Sequence, residues 1–555
     1  MTSTGAPDAA APLVEPHTAS GTPTGDQHRR ISSPARRVAL NMAAVIVPSA
    51  LGAALTFYDI GARSIWLDEG ASIAIASQHG AALGAAMAHD GGNMLVYYAL
   101  LHVLIGAFGN GPLVIRAPSA IATACTVALV SILARRLFDR RVALASGVLT
   151  AVSLPLVFWG QDARAYAMMT ALVAASFLAF VALVDRDPPA RPSRWAWIAY
   201  VVVTTLAMYM SFVAVLVLPA QLLSLVCHRR RLRPVLSALA VSALCCVPLA
   251  VLAHERGAGQ LFWVPKPSLS AVNVTVEELT SSALQPQFAL TATSHLVFWL
   301  TLALLMGAAV MGVRAMALCY DERAAFSQLL LVSWLVVPVL LALAESAVGQ
   351  SIFVPRNLLI SLPPVGILLA SLALGAPSGD SEPRRNTVRW SRPGWLAVGA
   401  LVALRAVQLA PSYGVSPENW KSAASYVLAR AEPRDCIAFY PSDGRMAFEY
   451  YVGSHAHGTT TAPRPVLPTA PWGEVKPYVE DYATLTRAQT SQLVPECRRV
   501  WFVTSHEGVP NGPAGSAAHY SRYRLLRSAL EARFAHDETT AFGYADPVDV
   551  ELLSP

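Results

Sequence analysis

Five short clusters of ionisable and aromatic residues punctuate a chain that is otherwise poor in charge. The first, Arg63-Ser64-Ile65-Trp66-Leu67-Asp68-Glu69-Gly70, sets two adjacent carboxylates just beyond an apolar stretch. His89-Asp90-Gly91-Gly92-Asn93, Arg116-Ala117-Pro118-Ser119, Gln161-Asp162-Ala163-Arg164-Ala165-Tyr166 and Phe353-Val354-Pro355-Arg356-Asn357 follow, each at the edge of an apolar run. A carboxylate can take a proton from a reacting hydroxyl, and a guanidinium can hold a phosphate through paired donors. Asp68 facing Arg116, Arg164 and Arg356 is therefore the layout expected for displacement of a lipid-phosphate leaving group. Asp68 is the expected base, because Ile65-Trp66-Leu67 can dock at a membrane interface and hold its carboxylate near the phosphate plane. Adjacent residues of a regular element cannot both face one hydroxyl, so Glu69 is expected to support it. The sequence has no GxGxxG, no P-loop and no repeat that would mark a nucleotide site. No cofactor is expected. A divalent ion beside Asp68 and Glu69 stays open, although no His or Cys cluster supports one.

The elements that must position these residues are membrane helices. Hydrophobic residues make up 54% of the 555, charged residues only 14%, and the mean hydropathy is +0.45. The charge deficit is local: uncharged stretches recur, each long enough to cross about 30 Å of hydrocarbon. They predict about eleven crossings: Val38–Tyr58, Ala117–Ala134, Val142–Trp159, Ala165–Val184, a hairpin over Trp195–Cys227, Pro234–Ala253, His295–Val313, Ala324–Ala344, Asn357–Gly375 and Trp395–Ala410. Met94–Phe108 is too short to span and reads as an interfacial helix. That choice places Arg135, Arg136, Arg140 and Arg141 on the cytoplasmic side with the basic loops at Arg186–Arg194, His228–Arg231 and Arg384–Arg389, as the positive-inside rule requires. The same rule accounts for the net charge of +6 without a nucleic-acid partner.

Residues 1–37, ending in Arg29, Arg30, Arg36 and Arg37, read as a disordered cytoplasmic tail, and 38–410 as the transmembrane catalytic domain. Residues 411–555 read as a soluble α/β domain on the outer side of a bacterial inner membrane, with helices at Pro417–Ala431 and Tyr520–Phe534 and strands at Cys436–Tyr440 and Val500–Thr504. Cys125, Cys227, Cys245, Cys246 and Cys319 lie in or beside spans and read as apolar fillers. Cys436 and Cys497 each open a strand candidate in an oxidising compartment, and a disulfide between them is expected. Arg405, inside the last crossing, is a further phosphate candidate, since an ionised group there is costly, with snorkelling to the outer interface the alternative reading.

The sequence resembles the membrane-embedded GT-C glycosyltransferases that use polyprenyl-phosphate sugars, in particular the bacterial family 39 or RgtA-to-D-like branch. The likeness rests on Arg-Ser-Ile-Trp-Leu-Asp-Glu at 63–69, Tyr-Tyr-Ala-Leu-Leu-His at 97–102, Arg-Ala-Pro-Ser at 116–119, Ala-Arg-Arg-Leu-Phe at 134–138 and Gln-Asp-Ala-Arg-Ala-Tyr at 161–166. It continues with Trp-Val-Pro-Lys-Pro-Ser at 263–268, Pro-Arg-Asn-Leu-Leu at 355–359 and Glu-Asn-Trp-Lys-Ser-Ala-Ala at 418–424. The resemblance implies an external active site with Asp68 as general base and arginines on the donor phosphate. His89, Asp90, Gln161, Asp162, Tyr166, Trp263 and Lys266 are the expected substrate contacts. Two departures bear on the acceptor pocket: Gly92-Asn93 stands where Pro-Pro is often found, and Ser211 where a His commonly follows the fifth span. The implied reaction is inverting transfer of one sugar, with mannose the first guess, to an envelope glycan, lipoglycan or protein. The rival readings are a transporter or lipid flippase, which predicts midplane charges and internal symmetry, and a non-catalytic glycan-binding protein, for which Asp68 would be dispensable.

Overall fold

The computed structural model describes residues 34–184, 193–227, 231–257, 261, 264–284, 292–318, 322–375, 391–455, 462–468, 497–512, 514–544 and 546–555. Trp263, most of the N-terminal tail and the basic residues Arg186, Arg229, Arg384, Arg385 and Arg389 lie outside them. In chain order the helical part reads α1 (Pro34–Phe57), α2 (Leu67–Ala76), α3 (Gly80–His89), α4 (Leu95–Phe108), α5 (Pro112–Leu137), α6 (Arg140–Ala151), α7 (Leu154–Gly160), α8 (Tyr166–Val184), α9 (Arg194–Met210), α10 (Leu218–Ser224), α11 (Leu232–Cys245), α12 (Val247–Arg256), α13 (Leu269–Leu279), α14 (Ala292–Leu318), α15 (Glu322–Val348), α16 (Pro363–Leu374) and α17 (Ser391–Ser412).

Among the described residues six of these, α1, α5, α8, α14, α15 and α17, are each long and apolar enough to cross a bilayer. Three bent pairs raise the number to nine: α6 with α7 (59°), α11 with α12 (51°), and a 3-10 turn Pro355–Ser361 with α16 (49°). Each second helix opens on proline, at Pro155, Pro248 and Pro363. Proline lacks the N–H that would continue the preceding helix and disfavours helical backbone in the residue before it, so the chain turns there. The expected hairpin Trp195–Cys227 corresponds to α9 and the shorter apolar run Phe212–Ser224. It accounts for the difference between nine and the eleven crossings read from hydropathy.

α4 is the short apolar helix expected at Met94–Phe108, and its entry explains one departure from the family pattern. Gly91 and Gly92 have φ of +66° and +75°, and Met94 is also left-handed. A Cβ on Gly92 would stand 3.0 Å from Leu249 and 3.1 Å from Leu252 of α12. Both the backbone conformation and the close approach of α12 exclude a larger residue at this turn.

The C-terminal domain adds α18 (Trp420–Arg430), β1 (Cys436–Tyr440), α19 (Gly444–His455), β2 (Arg464–Leu467), β3 (Val500–Thr504), α20 (Ala514–Glu531), β4 (Ala535–Phe542) and β5 (Val548–Ser554). The strands form one sheet in the order β2-β1-β3-β5-β4, the first three parallel and the last two antiparallel. β1 and β3 are buried on both faces. Alternate residues point opposite ways: Ile437, Phe439, Trp501 and Val503 pack with Trp420 and Val427 of α18, while Ala438, Val500 and Phe502 pack with Tyr523, Leu526 and Leu530 of α20. Helix α18 starts at Trp420, later than expected, because Asn419 caps it by accepting from the Ser422 N–H at 3.0 Å. Helix α20 runs earlier than Tyr520–Phe534. Strands β2, β4 and β5 were not expected.

Cys436 and Cys497 form a disulfide with Cα atoms 5.6 Å apart, closing a separation of 61 residues. Chain entropy gives such a closure a stabilisation of about 4 kcal/mol, as an upper figure. Thiol titration of the unreduced, denatured chain should find five free thiols, the seven cysteines less these two; seven would contradict the bond.

Candidate active site

At the end of the bundle that carries the C-terminal domain, α2 and α5 meet through a buried ion pair. Arg116, near the start of α5, donates from Nε to Glu69 Oε1 at 2.8 Å and from Nη2 to Glu69 Oε2 at 2.7 Å. Nη1 donates to the carbonyls of Ile60 (2.8 Å) and Arg63 (3.1 Å), and Nη2 also to that of Ser64 (3.2 Å). All five guanidinium N–H donors are thus committed within the protein, leaving none for the phosphate expected on Arg116. Glu69 further accepts the Ala163 N–H at 2.7 Å. Burial works against its charged form, but Arg116 and this N–H hold its carboxyl below the ordinary range. One ion pair therefore fixes α2, α5, the 60–64 loop and the 161–165 turn together.

Asp68, the neighbouring residue, points elsewhere. Its Oδ2 lies 3.5 Å from Arg164 Nη2 and 3.8 Å from Arg356 Nη2. Arg164 also donates to Ser72 Oγ at 3.2 Å. The Arg356 guanidinium sits 5.4 Å from the Trp66 ring and 6.0 Å from the Tyr166 ring, cation–π distances that orient its plane. Trp66 in turn donates to Asp162 at 2.8 Å. Burial, helped by the nearby Glu69 charge, pushes the Asp162 carboxyl well above its ordinary range.

These groups line a cavity of about 980 Å³ between bundle and domain, walled on the bundle side by Phe212, Val213, Leu261 and Ile352. Asp90, which accepts from Tyr98 at 3.0 Å, and Gln161, which clamps the carbonyls of Thr56 and Tyr58 at 3.0 and 2.7 Å, also line it.

The structure does not bring every expected residue here. His89 ends α3 outside the cavity wall. Lys266 braces the end of α15, donating to Ser346 O at 3.0 Å and Gly349 O at 2.6 Å. Arg405 lies within the bundle, bound to the carbonyls of Leu149 and Thr280, both at 3.1 Å. Beside it Gln408 holds Ser282 O at 2.9 Å, so the pair ties the segment after α13 to α6 and α17. Among the described residues no three His, Cys, Asp or Glu side chains are grouped as metal ligands.

The C-terminal domain contributes residues to which sequence reasoning gave no role. Glu418 Oε2 accepts the Leu67 N–H at 3.0 Å and the Trp420 indole at 2.7 Å, while Oε1 lies 2.8 Å from His506 Nε2. Its carboxylate thereby caps the first turn of α2, the helix that carries Asp68, where the helix dipole favours negative charge. The Glu-Asn-Trp-Lys motif was its only sequence signal; His506 had none. Burial opposes a charged imidazole at His506, but Glu418 more than offsets it and raises His506 to about 9.

That value stands above the ordinary 6.5, so this contact stabilises fully below about pH 6.5 and is lost as pH rises through about 9. A falling thermal midpoint between pH 7 and pH 10, with a shallower fall in His506→Asn, is the expected result; parallel curves would count against the linkage. Glu69→Gln, which leaves Arg116 buried beside a neutral amide, should cost about 3–5 kcal/mol. Its thermal midpoint in detergent measures this, and a native-like midpoint would contradict the lock.

Residues 91–254 match the family model described as dolichyl-phosphate-mannose-protein mannosyltransferase. No curated protein matches the chain. Among solved structures, ArnT from Cupriavidus metallidurans in the apo state superposes with a TM-score of 0.53 at 15% identity, covering 94% of this chain and 98% of that one. The same protein bound to undecaprenyl phosphate gives 0.51 at 13% identity over the same shares. The archaeal oligosaccharyltransferase AglB from Archaeoglobus fulgidus, in complex with an inhibitory peptide and a dolichol-phosphate, gives 0.51 at 12% identity, covering 93% of this chain and 74% of that one. The chain has the fold of the GT-C membrane glycosyltransferases, and its residues 91–254 match the model of a mannosyltransferase family within that class.

Proposed function

We propose that this protein is an inverting glycosyltransferase that moves one sugar, with mannose the first candidate, from a polyprenyl-phosphate donor to an envelope glycan, lipoglycan or protein on the outer face of a bacterial plasma membrane. The observation that carries the reading is the meeting of Asp68 with Arg164 and Arg356 at the wall of a cavity that joins the apolar bundle to a polar domain. The family match over 91–254 and the polyprenyl phosphates named in the ArnT and AglB structures support the donor class.

The chemistry follows from the geometry. Arg164 and Arg356 meet Asp68 loosely, in contrast to the paired 2.7 and 2.8 Å contacts of Arg116 with Glu69. The two fixed guanidinium charges beside Asp68 can also balance charge that develops on a departing phosphate. The acceptor oxygen attacks the anomeric carbon while its proton passes to Asp68. The bond from that carbon to the phosphate oxygen breaks, and polyprenyl phosphate leaves with the bonding pair, its charge held by the two arginines. Attack opposite the leaving group inverts the anomeric centre. A positioned base contributes about 10²–10⁴-fold, and preorganised positive charge at the leaving group a comparable factor or more. No nucleotide is consumed, because the sugar arrives already activated.

Transfer from polyprenyl-phosphate mannose, measured at equal membrane abundance, should fall at least about 100-fold in Asp68→Asn with donor binding kept; near-native turnover would overturn Asp68 as base. Arg356→Ala should weaken binding of polyprenyl phosphate, and Arg356→Lys should recover it only in part, since ammonium lacks the planar fork. Unchanged binding in Arg356→Ala would remove it from the phosphate site. Mass spectrometry of envelope glycans from a deletion strain identifies the transferred sugar.

A further inference from the structure

The far wall of the cavity belongs to the C-terminal sheet. In the order β2-β1-β3-β5-β4 the chain leaves β1 toward β2 on one side and leaves β3 toward β4 and β5 on the other. The crevice beyond the carboxyl ends of β1 and β3 is therefore a topological switch point, where open α/β sheets bind ligands. Asp443 follows β1 there and His506 follows β3, and both line the cavity that Asp68 lines.

Asp443 is 5% exposed, and its Oδ1 has no hydrogen-bond partner among the described residues. A buried carboxyl oxygen left without a donor is costly unless something outside the chain supplies one. Burial pushes the Asp443 carboxyl up to about 7, so near neutrality it both donates and accepts hydrogen bonds. His506 adopts φ of +53°, a backbone region sparsely populated for its type and often found at ligand sites. Around them Glu418, Glu507, Asp546 and Asp549 line the same wall, against His519 and Arg522. Four further carboxylates outnumber the Arg522 guanidinium and the His506 imidazolium, so this end of the cavity carries a net negative charge.

We propose that the crevice between the carboxyl ends of β1 and β3 is the acceptor subsite, taking the terminal residue of a neutral, hydroxyl-rich glycan whose hydroxyls are held by Asp443 and His506. Sugar hydroxyls supply the donor that Asp443 Oδ1 lacks and accept from the imidazole. An anionic sugar would have to be desolvated against the surrounding carboxylates, so the same residues that hold a neutral acceptor discriminate against an acidic one. The proposal rests on the glycosyltransferase reading for the word acceptor; the binding it predicts does not depend on turnover.

The test uses the full chain in lipid nanodiscs, with methyl α-mannoside and methyl β-glucuronide as probes followed by saturation-transfer NMR, and polyprenyl phosphate titrated separately. The mannoside should bind the native protein, the glucuronide at least tenfold more weakly. Asp443→Ala should weaken the mannoside at least tenfold while polyprenyl phosphate binds as before, which also shows that the variant is folded. The paired change Asp546→Asn with Asp549→Asn should narrow the gap between mannoside and glucuronide. Equal mannoside binding by native protein and Asp443→Ala, equal binding of the two glycosides, or no binding of either would overturn the subsite. Glycoside binding that needs Asp443, without any binding of polyprenyl phosphate by the native protein, would uphold the subsite and defeat the glycosyltransferase reading instead.

Discussion

The structure depends on a pair of opposite charges that cannot reach water. Arg116 and Glu69 are each about 1% exposed, and two ions so placed must satisfy each other and every remaining donor within the chain. Such a pair adds little net stability compared with an apolar core, because desolvation offsets much of the attraction, but it admits few alternative geometries. Its contribution here is orientation. Consecutive residues of an α-helix diverge by about 100°, so fixing Glu69 against α5 turns Asp68 out of the core toward Arg164 and Arg356. The supporting role expected for Glu69 has this physical content: it determines which way its neighbour faces.

From that constraint the cavity acquires two unlike ends. Where the apolar bundle opens, Arg164 and Arg356 stand with Trp66 and Tyr166 around Asp68, and where the α/β sheet presents its strand ends carboxylates outnumber cations. A field directed along a low-dielectric cleft sorts what enters it. On the glycosyltransferase reading, a lipid phosphate would meet Arg164 and Arg356 at the bundle end and a surplus of carboxylates at the domain end, which would keep two reactants from exchanging places without a moving part.

Much of this was legible in the sequence, and the rest was hidden for identifiable reasons. Uncharged runs marked the helices, and the charge rule singled out Arg116, Arg164 and Arg356 as arginines on the unfavoured side. β1 and β3 were visible because strands buried on both faces are unbroken apolar runs. β4, Ala-His-Asp-Glu-Thr-Thr-Ala-Phe, is mostly exposed and carries no alternation to read. The lock made by Arg116 was not visible because three of its acceptors are backbone carbonyls, which every residue possesses. Glu418 reaches Leu67 across 351 residues and His506 reaches Glu418 across 88, and no local spacing records either contact or the place of Asp443 in the cavity wall. Arg405 was read as a phosphate candidate, and its partners, two carbonyls on separate segments, are equally invisible to sequence pattern.

The order of the strands has a consequence for how the protein matures. β5 sits between β3 and β4, although both are synthesised before it. Until residues 548–554 have been made, one edge of β3 is bare and β4 has no strand to pair with. The loop after β3 holds His506, which holds Glu418, which caps α2. The helices of the bundle precede the sheet in the chain, and the strand that carries His506 toward Glu418 and α2 gains its second partner only with β5. A chain clipped just before that strand would keep every helix of the bundle and lose the one strand that joins β3 to β4.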